Sequence, residues 1–182
     1  VLTIEAAGRR SHDAFVYLPS LRRTRRITTA QRTESFFGTD VTYEDLERRH
    51  VSDFEAERCE ADGGGAEPVY RIAARALTYL SYDRIDFVIA RSDSAILKTR
   101  YFKRDSTEPF RTITAPRESM LTSGGHVLPT HLFVEDRSAK RTTEVTFSDL
   151  VVNPVLDPHL FSVSTLDLER SLPGAGSSMH GQ

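Results

Sequence analysis

From Tyr82 onward the chain repeats one pattern: a segment rich in β-branched and aromatic residues, a few turn residues, then another such segment. Segments 84–91, 96–104, 110–121, 127–136 and 140–152 are joined by Ser92-Asp93-Ser94, Asp105-Ser106-Thr107-Glu108-Pro109, Ser123-Gly124-Gly125 and Asp136-Arg137-Ser138-Ala139. Connections this short cannot carry a crossover helix, so sequence neighbours must be neighbours in an antiparallel sheet. Alternation then sorts the side chains by face. Ile85, Phe87 and Ile89 share one face, as do Leu97 with Tyr101, Leu128 with Leu132 and Val134, and Val145 with Phe147. Lys98, Arg100, Lys103, Glu135, Asp136 and Glu144 lie between them, several on the opposite face. Such a sheet buries one side and wets the other.

The earlier part of the chain adds strands to this set. Residues 2–9, 12–18 and 22–28 read as extended pieces, with Ser11 in a turn and Pro19 interrupting a ladder. Residues 51–60 are polar on one side, 61–65 form a glycine turn, and 69–77 alternate Tyr70, Ile72, Ala74 and Ala76 against Val69, Arg71, Ala73 and Arg75. No phosphate-loop lysine follows those glycines. Between 36 and 46 the alternation breaks into a loop that closes as a short helix ending by His50. Thr42 and Asp45 stand three apart there, as in a capping box, with Glu44 and Asp45 in the first turn. Asn153-Pro154 and Asp157-Pro158 end the last strand. Leu160 and Phe161 are expected to anchor a turn that plugs an end of the sheet, Ser164 to cap a helical turn through 168, and residues 171–182 to form a disordered tail. No periodicity supports a helix longer than about three turns. About nine or ten strands with so little helix must curl or pair to hide their apolar face.

At 182 residues the chain is long enough for one sizeable core, and residues 1–170 are expected to make a single β domain. Its charge is nearly balanced, 24 basic against 26 acidic residues, which excludes nucleic acid as a principal partner. No apolar run approaches the roughly 18 residues of a membrane-spanning helix. The lone Cys59 has no internal disulfide partner. His12, His50, His126, His131, His159 and His180 are scattered. His126 and His131, five apart on one expected strand, face opposite ways and cannot share a metal. Asp83, Asp86 and Glu118 show no motif that would separate their roles as acid and base. No nucleophile elbow is present. These readings lead to a protein that is not an enzyme and uses no metal or cofactor, although a hydrolase built from scattered Asp, Glu and His remains a third reading.

Arg22, Arg23, Arg25 and Arg26 precede the 36–46 loop and have the chemistry to pair with Asp40, Glu44 and Asp45. The order "FVYLPSLRRTRRI", then "SFFGTDVTYEDL", then strands ending in "VNPVLDPHLFS" resembles the outer-membrane lipoprotein-sorting family, the LolA-like periplasmic lipoprotein carriers, over most of residues 12 to 168. The resemblance implies an unclosed, strongly curved half β-barrel. It also implies a removed signal peptide, a periplasmic location, and amino-terminal strands that precede Val1 in such proteins.

On the residues alone, an apolar sheet face with few helices to cover it fits either an ordinary filled barrel core or a site for a hydrophobic ligand. The resemblance favours the second: passive burial of lipoprotein acyl chains or another hydrophobic cargo, exchanged with an inner-membrane transporter and an outer-membrane acceptor. Phe54, Tyr70, Ile72, Ile85, Phe87, Ile89, Leu97, Tyr101, Leu132, Val134, Val145 and Phe147 are the candidate lining residues. Arg22, Arg23, Arg25, Arg26, Phe36, Phe37, Asp40 and Tyr43 are the candidate rim or partner contacts. An envelope sensor or interaction module on the same scaffold, binding a partner protein through the 22–26 strand, is the alternative.

Overall fold

The computed structural model describes residues 1–5, 12–78 and 80–166. The expected tail at 171–182, the turn at Ser11 and the end of the 164–168 helix lie outside them. The described residues are mainly β, in antiparallel sheets with short 3-10 turns, and no sheet closes into a barrel. They fall into two compact units, one made of Val1–Gln31 with the residues from Val155 on, the other of Arg32–Pro154.

In the first unit, β1 (Leu2–Glu5), β2 (His12–Leu18) and β3 (Arg23–Ile27) form a three-stranded sheet in that order. Alternation on β2 buries Ala14 and Val16 on one face. Pro19 starts a one-turn 3-10 segment, Pro19–Leu21, and Arg22 closes it in a left-handed conformation at φ 47°, its N–H donating to the Pro19 carbonyl at 3.2 Å. This turns the chain directly into β3. The unit's α-helix, α1 (Val163–Leu166), packs on β2. Leu160 and Phe161, expected as a plug, are instead exposed, because the 3-10 turn Pro158–Phe161 that Asp157 caps at the His159 N–H (2.9 Å) points them outward.

The second unit is a seven-stranded sheet in the order β12-β11-β8-β7-β6-β5-β4 and a separate hairpin, β9 with β10. Its strands are β4 (Phe54–Asp62), β5 (Val69–Ala76), β6 (Arg84–Ala90), β7 (Ile96–Phe102), β8 (Arg111–Thr114), β9 (Met120–Ser123), β10 (His126–Pro129), β11 (His131–Asp136) and β12 (Arg141–Thr146). Two expected long strands, 110–121 and 127–136, are each broken. Pro116 has no N–H to continue β8, and the chain leaves the sheet there to build the β9–β10 hairpin. Pro129 then separates that hairpin from β11. His126 and His131 consequently lie on different strands. The glycine turn links β4 to β5 as expected, with the Gly64 N–H donating to Asp62 Oδ1 at 3.0 Å.

Strand pairing fixes which residues share a face. One row runs Ala56, Ala74, Ile85, Tyr101, Arg111, Asp136, Arg141, and the next runs Cys59, Ile72, Phe87, Thr99, Ile113, Val134, Thr143. These rows and their continuation, Ala61, Tyr70 and Ile89 at one side with Leu132 and Val145 at the other, make the apolar face. The opposite face carries rows such as Glu60, Arg71, Val88, Lys98, Thr114, Phe133, Glu144. Register shifts at Ala56/Arg58 and at Val88/Ile89 interrupt the ladder. Bulges of this kind bend a sheet and re-aim side chains.

Candidate functional site

The apolar face is covered unevenly, and the loop around residues 36–49 determines where. Ser35 and Thr42 bridge, the Phe36 N–H donates to the Val41 carbonyl at 2.7 Å, and Gly38 turns the tip at φ 80°, an angle that suits a residue without Cβ. The 3-10 turn Tyr43–Leu46 follows. Its start is tied by the Thr42 N–H and hydroxyl, both donating to Asp45 Oδ2 at 2.9 and 2.8 Å.

Asp40, Glu44 and Glu47 of this segment are buried, the Asp45 side chain is 7% exposed, and all four carboxylates are satisfied. Asp40 accepts from Arg141 Nε at 2.9 Å and from the Thr143 hydroxyl at 2.8 Å, while its own N–H donates to that hydroxyl at 2.9 Å. Asp45 pairs with Arg111 at 2.6 Å and Arg49 at 3.2 Å. Glu44 accepts from the Ser81 N–H at 3.0 Å and from its hydroxyl. Glu47 accepts from Arg32 Nε at 2.7 Å, a bond that raises the Arg32 pKa. Taking carboxylates and guanidinium groups out of water is costly unless geometry and hydrogen bonds repay it. Here each anion meets a fixed donor set, so the segment is clasped to the first row of the face.

The expected pairing of Asp40, Glu44 and Asp45 with the arginines of residues 22–26 is therefore replaced by Arg141, Ser81, Arg49 and Arg111. Arg26 instead pairs with Asp13 across β2 and β3, where the strand register places them within reach. Asp40, expected at a rim or partner surface, is only 6% exposed and already occupied. Arg22, Arg23, Arg25 and Arg26 are exposed on and beside β3. Phe36 stacks edge-on with Phe37 and Tyr43, centroids 4.6 and 5.6 Å apart, which leaves Phe37 exposed at φ 49°. Such an angle is uncommon for a bulky residue and is kept only where neighbours hold it.

Under the clasp lies a cluster of buried side chains, Ala74, Tyr82, Ile85 and Tyr101. Tyr101 lies at 5.0 Å from Tyr82 and 6.5 Å from Phe110, and the Arg111 and Arg49 guanidiniums sit 4.5 and 5.5 Å from its ring. Burial pushes the Tyr82 and Tyr101 phenols above the ordinary tyrosine range. Ile85, Tyr101 and Val134 are 0–1% exposed, and Phe54 stacks against Tyr82. Ile85, Tyr101 and Val134, all expected to line a cavity, are thus covered by the protein's own side chains, and Phe54, also expected there, is half-buried. Leu97 is displaced as well: the register shift skips it, Val88 facing Lys98 and Ile89 facing Ile96, and it borders a cleft on the polar face.

Away from the clasp the cover thins. Ile72, Phe87, Ile89, Leu132 and Val145 are half-buried, while Tyr70 and Phe147 are about 40% exposed. The Arg91 guanidinium lies 5.3 Å from the Tyr70 ring. Ile113 and Ile96 belong to the same face without any sign of it in the alternation, Ile113 because β8 is shorter than the strand expected over 110–121, Ile96 because only the bulge places it on this face, where it is 48% exposed. Arg49, Arg111 and Arg141 are likewise unmarked in the sequence, since nothing in spacing distinguishes them from the chain's other arginines. Elsewhere Asp83 pairs with Arg104 at 3.4 Å, Asp86 with Arg84 and Arg100 at 3.3 and 3.7 Å, and His131 with Glu144 at 2.6 Å.

The model of the DUF1329-like family, described as "Uncharacterized protein", matches residues 1–167. No curated protein matches the chain. An outer membrane lipoprotein-sorting protein domain from Vibrio parahaemolyticus is similar in structure at TM-score 0.78 and 18% identity, over 86% of this chain and 66% of that one. A DUF1329 family protein from Desulfovibrio piger is similar at 0.79 and 19%, over 86% and 65%. A LolA superfamily protein from Nitrosomonas europaea is similar at 0.61 and 17%, over 82% and 66%. The chain spans just under two thirds of the length of each. At these identities the likeness establishes the fold, an unclosed antiparallel β architecture of the LolA-like kind.

Proposed function

The chain belongs to the DUF1329-like family, and from that premise we propose that it is a non-catalytic periplasmic carrier or acceptor, burying lipoprotein acyl chains or another hydrophobic cargo on the uncovered part of its apolar face. One observation carries this reading: a single sheet face runs from fully covered at Ile85 and Tyr101 to about 40% exposed at Tyr70 and Phe147. A face left half covered by its own chain offers apolar area that a guest can remove from water. Each buried methylene is worth about 0.8 kcal/mol, so seating five contributes ~4 kcal/mol, about a thousandfold in affinity. Phe36, Phe37 and Tyr43 form the rim beside the clasp, and Tyr70, Ile72, Phe87, Ile89, Leu132, Val145 and Phe147 form the floor. Exchange with an inner-membrane transporter and an outer-membrane acceptor follows from the same reading. No described helix is long and apolar enough to cross a membrane.

Lipid mass spectrometry on protein purified from a membrane-containing host, with displacement of a fluorescent fatty acid, tests the proposal. Copurifying acyl lipid and saturable probe binding are expected. Neither appearing would sink the carrier reading. The exposed β3 arginines favour a second reading, an interaction module that captures a partner protein. Charge reversal of Arg23 and Arg25 would then abolish capture and leave acyl binding intact.

A further inference from the structure

The polar face of the large sheet contains a cleft of about 360 Å³ that the carrier reading does not use. It is lined by Arg71, Lys98, Arg100 and Arg117 with Val88, Leu97, Thr114, Ala115 and Pro116. The strand register explains the gathering. Arg71, Val88, Lys98 and Thr114 stand in one cross-strand row, and Arg100 is the next same-face residue after Lys98. The bulge that skips Leu97 brings it to this side, and the break at Ala115-Pro116 swings Arg117 over the row as a wall. Four cationic side chains therefore line a small concavity that no carboxylate lines.

The carboxylates stand outside the cleft, each holding an arginine in place. Asp62 takes Arg71 Nε at 2.9 Å, Asp86 lies 3.7 Å from Arg100, and Asp93 takes Arg117 at 2.7 Å with Glu67 at 3.5 Å. Asp62 and Asp93 have pKa values lowered first by backbone N–H donors, those of Gly64 and Ala95, and then by Arg71 and Arg117. Two donors remain unused. Arg100 Nε is buried with no hydrogen-bond acceptor, and the Lys98 ammonium has no hydrogen-bond or ion-pair partner among the described residues. Buried donors are almost always satisfied in folded proteins. A tetrahedral oxyanion presents several acceptors at once, which suits a guanidinium and an ammonium from β7 converging with the Thr114 hydroxyl of the neighbouring β8. The volume is at the lower end of small-ligand sites, and Val88, Leu97 and Pro116 give the ligand an apolar neighbour.

We propose that this cleft is a binding site for a phosphate-bearing ligand, with Lys98, Arg100 and Thr114 contacting the phosphate and Arg71 and Arg117 flanking it. The site lies on the face opposite the proposed cargo floor, so the two bind independently.

Calorimetry with inorganic phosphate and glycerol 3-phosphate, and flotation with phosphatidylcholine vesicles containing or lacking phosphatidic acid, test it. Lys98→Glu is the main variant, since Lys98 is exposed and supports no other residue; Arg25→Glu, on β3, controls for general loss of positive charge. Saturable binding of the soluble phosphates, weakened at least tenfold in K98E and unchanged in R25E, supports the site with a free phosphate as ligand. Binding of phosphatidic acid vesicles alone, with the same pattern of loss, supports it with a lipid headgroup as ligand. No binding of any phosphate probe, K98E equal to the unaltered protein, or equal losses in K98E and R25E overturns it. Fatty-acid probe binding should be unchanged in K98E, which keeps this test separate from the carrier reading.

Discussion

Replacing Asp45 by Asn isolates the charge in the clasp. Asparagine retains an oxygen for the Thr42 N–H and hydroxyl bonds, so the start of the 3-10 turn keeps its cap. What disappears is the anion shared by Arg111 at 2.6 Å and Arg49 at 3.2 Å, whose side chains are 3% and 27% exposed. Leaving a buried charge uncompensated costs about 3–5 kcal/mol. Arg111→Met is the informative counterpart: it removes one cation but leaves Asp45 paired with Arg49, and methionine keeps apolar packing on Tyr101. Its cost should be about 1–3 kcal/mol. For a chain of this size each kcal/mol moves Tm by about 2–4 °C, so D45N should melt ~6–20 °C lower and R111M clearly less. The chain has no Trp, so near-ultraviolet tyrosine dichroism is the natural probe, and Tyr82 and Tyr101 lie beneath the clasp. The same loosening should uncover Ile85 and Tyr101 and raise binding of a hydrophobic dye. If D45N melts within about 1 °C of the unaltered protein, or R111M proves the worse variant, the clasp does not hold the loop electrostatically.

Leu132→Asp on the uncovered floor should weaken fatty-acid probe binding at least tenfold while shifting Tm only slightly, measured by probe titration beside a melt. Spectrophotometric titration at high pH should leave Tyr82 and Tyr101 protonated where exposed tyrosines have ionised. Their raised folded pKa values stabilise the fold below about pH 10, and that contribution is lost as pH climbs through the folded values, so an alkaline stability curve should fall above about pH 10. Gly38→Ala meets no atom within 4 Å, so only its positive φ resists, and chemical denaturation should show a loss of about 1 kcal/mol. Cys59, exposed on the edge strand β4, should be labelled to one equivalent by a thiol reagent in the native protein without denaturant, as read by mass spectrometry.

Alternation and turn spacing were enough to read from the sequence that this chain is an antiparallel sheet with one apolar face, because side-chain direction in a strand depends only on parity. Ile85, Phe87 and Ile89 share a face for that reason, and the capping relation of Thr42 and Asp45 was legible because it is local. Which half of the apolar face stays covered is a different kind of fact. It depends on Asp40 meeting Arg141 and Thr143 about a hundred positions away, and on Asp45 meeting Arg111. Nothing local marks those arginines among the chain's many. The bulge that expels Leu97 and the proline break that gathers Lys98, Arg100 and Arg117 at one cleft are also set by how strands slide into register. Local propensity fixes an element's type and the faces of its side chains, whereas long-range pairing and burial decide which of those faces the protein covers and which it leaves for a ligand.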